Sequence, residues 1–112
     1  MIFELKIVLM VSLIIFVITS SIALFGLNKF KEDILRIFDN TKDMVCLELG
    51  SCRGDTTRVF AECFKEVHSF ERADENIEYI KKKCSDVNNV NYNSSDIYSS
   101  DFEIPTGFDV VF

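Results

Sequence analysis

The sequence predicts an α/β domain with a parallel sheet, preceded by one apolar segment long enough to span a membrane. Two observations predict this class: short apolar runs alternate with amphipathic helical patterns after residue 44, and no charged residue occurs between Ile7 and Leu27. Strands that alternate with helices form parallel sheets, because a crossover helix returns the chain to the same edge. We therefore divide the chain into an anchor at 1–27, a connecting amphipathic helix at 28–43 and an α/β domain at 44–112.

The apolar segment Ile7–Leu27 contains 21 residues. As a helix it would be about 31 Å long, which matches the roughly 30 Å hydrocarbon core of a bilayer. Three basic residues follow it within ten positions and only Lys6 precedes it. This bias predicts a single-pass membrane protein whose soluble part is cytoplasmic. The alternative is a cleaved signal peptide, with small residues at cleavage-like spacing at Ser21 and Ala23.

The charge and the cysteine pattern exclude two classes of site. The formal net charge is −6 at pH 7, which would repel a phosphate backbone, so no nucleic-acid partner is expected. The four cysteines show no CxxC spacing and there is one histidine, so no metal site is expected. The four cysteines are Cys46, Cys52, Cys63 and Cys84. The apolar surroundings of Cys46 and Cys63 favour free thiols in a cytosolic compartment, and a disulfide framework is the alternative if the chain is secreted.

The elements follow in order along the soluble part. Apolar residues at helical spacing predict a helix that ends near Asn40. A buried strand is predicted at Met44–Leu49, followed by a glycine turn and a helix that begins at Asp55. The rest of the chain predicts a strand at Val67–Phe70, a helix with Ala73, Ile77, Ile80 and Cys84 on its apolar face, a strand at Val90–Tyr92, a loop at Asn93–Asp101 and a strand at Phe108–Phe112.

The chemistry is concentrated where the first strand runs into the glycine turn. Gly50 allows a ligand to approach the backbone, and Gly54 permits a sharp entry into the helix, whose amino terminus attracts an anionic group. Glu48, two residues before Gly50, suits a cationic group such as an α-ammonium. Glu71 follows Gly50 by 21 residues and ends the second strand, where a carboxylate can accept hydrogen bonds from both ribose hydroxyls. Asp96, after the third strand, could accept from the exocyclic amine of adenine.

These motifs resemble a known family. Residues Val45–Phe112 look like the first half of a class I S-adenosylmethionine-dependent methyltransferase, which has a Rossmann-like fold. The resemblance is carried by the acid-x-Gly-x-x-x-Gly motif, the acid that ends strand two, Ser95-Asp96-Ile97, and the strand Phe108–Phe112. Cys52 stands where the family often has a central glycine. The resemblance implies S-adenosylmethionine as the cofactor, with Glu48, Gly50, Ser51, Gly54, Glu71 and Asp96 as its binding residues.

The family fold has seven strands, and this chain supplies four. The resemblance therefore implies a partial Rossmann-like methyltransferase fold, with helices mainly on one face, a bare edge at the fourth strand and an uncovered second face. We expect a membrane-anchored, truncated methyltransferase that binds the bilayer and a second chain completing its sheet; the sequence names no methyl acceptor and no catalytic residue. The alternatives are an inert membrane-anchored remnant that acts as an interaction protein and, less favoured, a dinucleotide-binding Rossmann protein, because the turn lacks the GxGxxG pattern.

Overall fold

The computed structural model describes residue 14 and residues 25–112 of the chain. Apart from Ile14 and residues 25–27, the apolar segment Ile7–Leu27 lies outside the described residues, and so do the predicted anchor and the alternative signal peptide. Within the described part of the chain, no helix is both long enough and apolar enough to cross a membrane.

The described residues form a four-stranded parallel sheet with helices between the strands, which confirms the predicted α/β class. The sheet order is β3-β2-β1-β4. Helix α1 covers residues 25–37. The other elements are a 3-10 turn at Thr41–Asp43, β1 Val45–Leu49, α2 Asp55–Cys63, β2 Glu66–Glu71, α3 Asp74–Lys83, β3 Val90–Ser94 and β4 Val110–Val111.

Strands β1 and β2 lie within one residue of their predicted bounds, whereas β3 and β4 differ more. Strand β3 continues through Asn93 and Ser94, where a loop was predicted, because its ladder with β2 extends to the pair Glu71 and Ser94. Strand β4 contains two residues, although five were predicted. The Asp109 carboxylate accepts the backbone N–H of Val45 at 2.7 Å, so a side chain takes the place of a ladder bond at the start of β4.

The helices pack on one face of the sheet, as predicted. Phe60 of α2 is central: its ring lies 5.7 Å from that of Phe30 in α1 and 4.4 Å from that of Phe112, which follows β4. Burial of apolar surface stabilises this layer by about 25 cal/mol per Å². The buried members of the core are Ile34, Cys46, Val59, Phe60, Ala61, Cys63, Phe64 and Val67.

The second face of the sheet is partly covered, which corrects the expectation of an uncovered face. Leu47 alternates with the helix-facing Cys46 along β1, and it is fully buried. The ring of Phe102 packs edge-on against Phe70, and Phe108 packs against His68 at 5.0 Å between ring centres. Apolar side chains in the long connection between β3 and β4 therefore fold back over β2.

The strand register brings the candidate site residues to one edge of the sheet. Leu49 of β1 is level with Phe70 of β2, and Glu71 is level with Ser94 of β3. The residues that follow these strands therefore meet at the carboxyl ends. Strand β1 has β2 on one side and β4 on the other, and open α/β sheets bind ligands at such a change of direction.

Candidate functional site

The turn between β1 and α2 is held against the end of β2 by backbone hydrogen bonds. The amides of Gly50 and Ser51 both donate to the carbonyl of Phe70, at 2.9 and 3.3 Å. Three residues of the turn have left-handed backbone conformations: Gly50 with φ of 78°, Cys52 with φ of 53° and Gly54 with φ of 87°. Only the two glycines adopt this conformation without a steric penalty, so Cys52 carries local strain.

Gly54 serves a second purpose, which is the close packing of α2 on α3. A Cβ atom at this position would lie 3.0–3.2 Å from the Cγ1, Cα and Cβ atoms of Ile80. Because one of these is a backbone atom, a side chain at Gly54 would push the two helices apart. Gly54 is also the residue that caps the amino end of α2.

Glu71 ends β2 and fixes the turn through its carboxylate. One oxygen accepts the backbone N–H of Cys52 at 2.6 Å, and the other accepts that of Ala73 at 3.1 Å. Partial burial raises the pKa of Glu71, but the hydrogen bonds from Ala73, Cys52, Asn76 and Arg72 outweigh it and hold the pKa below its ordinary value. A carboxylate offers about four acceptor positions; Cys52 and Ala73 occupy two of them, and a ligand would have to share the other two with Asn76 and Arg72.

Two adjoining depressions lie at this edge of the sheet. The crevice has a volume of about 180 Å³ and lies between the ends of β1, β2 and β3; it is lined by Gly50, Cys52, Phe70, Glu71, Arg72, Ser95, Ile97 and Tyr98. The turn groove has a volume of about 410 Å³ and is lined by Gly50, Ser51, Cys52, Arg53, Asp55 and Thr56. Gly50 and Cys52 belong to both, so one elongated ligand could occupy the two together.

A larger groove of about 610 Å³ lies elsewhere, at the amino ends of β2 and β3, where Lys65, Glu66 and residues 88–92 line it. None of the predicted site residues borders it. Ligands of open parallel sheets bind at the carboxyl ends of the strands, so the crevice and the turn groove form the candidate site.

Asp96 lies at the rim of the crevice. Its side chain is 41% exposed, accepts the backbone N–H of Tyr98 at 3.0 Å and lies 4.0 Å from the guanidinium of Arg72. Its neighbours Ser95 and Ile97 line the crevice, whereas Asp96 itself does not. Asp96 therefore lies beside the site, and its carboxylate is bonded to the backbone of the turn that contains Tyr98.

Glu48 lies behind the turn and lines neither depression. It is 3% exposed, and its carboxylate accepts hydrogen bonds from the hydroxyls of Thr56, Thr57 and Ser69. The structure thus brings Gly50, Ser51, Gly54 and Glu71 together around the turn and places Glu48 beneath it.

The hydroxyls around Glu48 and the amide of Cys52 were missed by the sequence prediction. The sequence predicted only that a helix begins at Asp55, and Gly54 caps that helix without a side-chain cap bond. The side chains of Thr56 and Thr57 turn back to Glu48. The signal was available in the sequence, because an acid within a buried strand requires nearby donors.

No protein-family model matches the sequence, and no curated protein matches it either. Solved methyltransferase structures do share its fold. Coclaurine N-methyltransferase bound to N-methylheliamine and S-adenosylhomocysteine has a TM-score of 0.61 and 21% identity over 79% of this chain and 25% of that one. A dimethyladenosine transferase from Plasmodium falciparum has a TM-score of 0.60 and 22% identity over 74% of this chain and 30% of that one.

A tRNA methyltransferase from Aquifex aeolicus has a TM-score of 0.53 and 28% identity over 61% of this chain and 28% of that one. This chain thus spans about a quarter to a third of the length of these structures. The described residues share the fold of a part of these methyltransferases, which confirms the partial methyltransferase fold that the sequence resemblance implied.

Proposed function

We propose that this chain binds S-adenosylmethionine in the crevice and the turn groove, and that it forms the membrane-anchored, cofactor-binding part of a methyltransferase. The proposal rests on one arrangement: Glu71, at the end of β2, faces the crevice beside the Gly50 turn. The crystallisation of a similar fold with S-adenosylhomocysteine supports this choice of cofactor.

The donors and acceptors of the site fit this cofactor. The two ribose hydroxyls would donate to Glu71 at the positions that Asn76 and Arg72 use without ligand. The turn from Gly50 to Gly54 leads into the amino end of α2, whose partial positive charge suits the carboxylate of the methionine part. Asp96 would turn from its local contact with the amide of Tyr98 to accept from the adenine amine. Glu48 supports the turn from within the sheet.

The bound cofactor supplies a methyl group on a positively charged sulfur. The residues of this chain bind and orient the cofactor, and transfer also requires an acceptor held in line with that methyl group. Within residues 25–112, β4 pairs with β1 on one side and has no strand on the other. We assign this free edge, Val110–Val111, to a second chain that completes the sheet and supplies the acceptor site.

Titration calorimetry of S-adenosylhomocysteine into the full chain, purified in nanodiscs, tests the cofactor proposal. We expect saturable binding, and we expect Glu71→Gln to weaken it by about tenfold, because a neutral amide accepts fewer and weaker hydrogen bonds. Glu103→Gln is the matched control, since Glu103 is exposed and lies outside the crevice. An absence of binding at millimolar ligand would refute the proposal, and NAD that displaces the ligand would favour a dinucleotide site.

The membrane orientation can be tested with a cysteine of the chain itself. Cys52 is exposed, whereas Cys46, Cys63 and Cys84 are buried. We propose that Ile7–Leu27 spans the membrane once, with the α/β domain in the cytoplasm. A membrane-impermeant maleimide should then label Cys52 only after cells are opened. Labelling of Cys52 in intact cells, or recovery of the chain without its first 27 residues, would contradict this orientation.

A further inference from the structure

Glu48 is a buried carboxylate whose stabilisation comes from hydroxyl groups. Its residue is 3% exposed, and no lysine or arginine within residues 25–112 forms an ion pair with it. Burial of an ionised carboxylate is costly unless hydrogen bonds replace its water. Three hydroxyls and the nearby amino end of α2 provide that replacement.

The hydrogen bonds around Glu48 form a connected network. One carboxylate oxygen accepts the hydroxyl of Thr56 at 2.5 Å, and the other accepts those of Thr57 at 2.5 Å and Ser69 at 3.0 Å. Ser69 has a single hydroxyl proton, which it donates to Glu48. Its oxygen therefore accepts from the hydroxyl of Ser51, which lies in direct contact with it and also lies 3.2 Å from the carbonyl oxygen of Phe70, so Ser51 shares its one proton between the two acceptors. The network runs from Ser51 through Ser69 and Glu48 to Thr56.

Both ends of this network lie at the candidate site, and its middle does not. Ser51 and Thr56 line the turn groove. Thr57 is 0% exposed, Ser69 is 2% exposed, and neither lines the turn groove or the crevice. A change at Thr57 or Ser69 can therefore reach a bound ligand only through the conformation of the turn.

We propose that Thr57 and Ser69 are positioning residues, which hold the Ser51–Thr56 turn in its ligand-binding conformation through Glu48. This inference rests on the proposed function, because the ligand at the turn is the cofactor. The turn includes the strained residue Cys52, so its conformation depends on restraints outside its own backbone. The network fixes it on the sheet side, and Glu71 fixes it on the crevice side.

The test compares Thr57→Val, which removes the hydroxyl at nearly constant volume, with Thr57→Ser, which retains it. Thr41→Val is the matched control, since Thr41 is another buried threonine, in the 3-10 turn outside the network. Two quantities are measured on the full chain in nanodiscs: the dissociation constant of S-adenosylhomocysteine, and the hydrogen-exchange rates of the amides of residues 51–56 without ligand. Ser69→Ala is the second network variant, for use where Thr57→Val does not fold.

We expect Thr57→Val and Ser69→Ala to weaken binding by about five- to tenfold and to speed exchange in the turn by a similar factor. Thr57→Ser should restore both quantities, and Thr41→Val should change neither. Equal effects of Thr57→Val and Thr41→Val would overturn the proposal, and so would faster exchange with unchanged affinity. If the wild-type chain binds no ligand, the proposed function is refuted. The exchange rates still test the network in that case, and unchanged rates in Thr57→Val and Ser69→Ala would overturn its role.

Discussion

The carboxylate of Glu71 accepts the backbone N–H of Cys52 at 2.6 Å, and this bond joins the end of β2 to the turn that follows β1. The same carboxylate lines the crevice. One ionised group therefore holds the turn in place and, in the proposed function, also presents acceptors to the cofactor. Protonation would weaken both roles, because a neutral carboxyl group is a poorer acceptor.

Stability should depend on the ionisation of Glu71. Hydrogen bonds hold its folded-state pKa below the ordinary value of 4.5, so its contribution to stability is present above pH 4.5 and is lost as pH falls through the folded pKa. We expect wild type to be more stable than Glu71→Gln near neutral pH, with a difference that shrinks in acid. Urea unfolding between about pH 3 and pH 7 measures this. A pH-independent difference, or one equally large for Glu103→Gln, would contradict it.

Cys52 should be strained by its left-handed backbone, with φ of 53°. We expect Cys52→Gly to leave stability unchanged or to raise it by up to about 1 kcal/mol, because relief of strain exceeds or offsets the greater freedom of glycine in the unfolded state. Cys52→Val should lower stability by about 1–2 kcal/mol, because a β-branched side chain tolerates this conformation poorly. Urea unfolding of both variants checks the order. If Cys52→Gly and Cys52→Val have the same free energy of unfolding, the turn carries no strain at this residue.

The sequence predicted where residues at strand ends lie in the fold, and it failed where the direction of a side chain from its strand had to be known. Gly50 and Glu71 were placed correctly because each directly follows or ends an apolar run, and parallel strands bring such positions to one edge. The direction of Glu48 could not be predicted. Three consecutive residues of β1 are all buried: Cys46, Leu47 and Glu48. Because neither face of β1 is polar, the alternation of its side chains does not show which face packs against the helices.

The same reasoning explains the less accurate strand boundaries. Asn93 and Ser94 lack any apolar alternation, and they join β3 only because β2 offers them partners along its whole length. The cover on the second face comes in part from Phe102 and Phe108, which lie outside the strands and contact Phe70 and His68 of β2. Contacts between segments distant in sequence set these features, and local propensity carries little information about them.

The four cysteines should differ sharply in reactivity. Burial raises the pKa of Cys46 to about 12, with smaller contributions from Glu48 and Cys63, and burial also raises the pKa values of Cys63 and Cys84. Because the thiolate is the reactive form, we expect iodoacetamide at mildly alkaline pH to modify only the exposed Cys52 in the native chain. Mass spectrometry should find the other three modified after denaturation. Native modification of any buried cysteine at the rate of Cys52 would contradict this.

Gly54 should be the least replaceable glycine in the described part of the chain. A Cβ at Gly54 would meet the Cα of Ile80 at 3.1 Å, and its φ is 87°. We expect Gly54→Ala to lower stability by about 2–4 kcal/mol, because it adds a helix–helix clash to the strain of a left-handed alanine. Gly107→Ala is the matched control: Gly107 has φ of 92° but nothing within 4 Å of its Cβ position, so it should lose only about 1 kcal/mol from strain. Urea unfolding of both variants isolates the contact between α2 and α3, and losses of equal size would show that Ile80 can move away without cost.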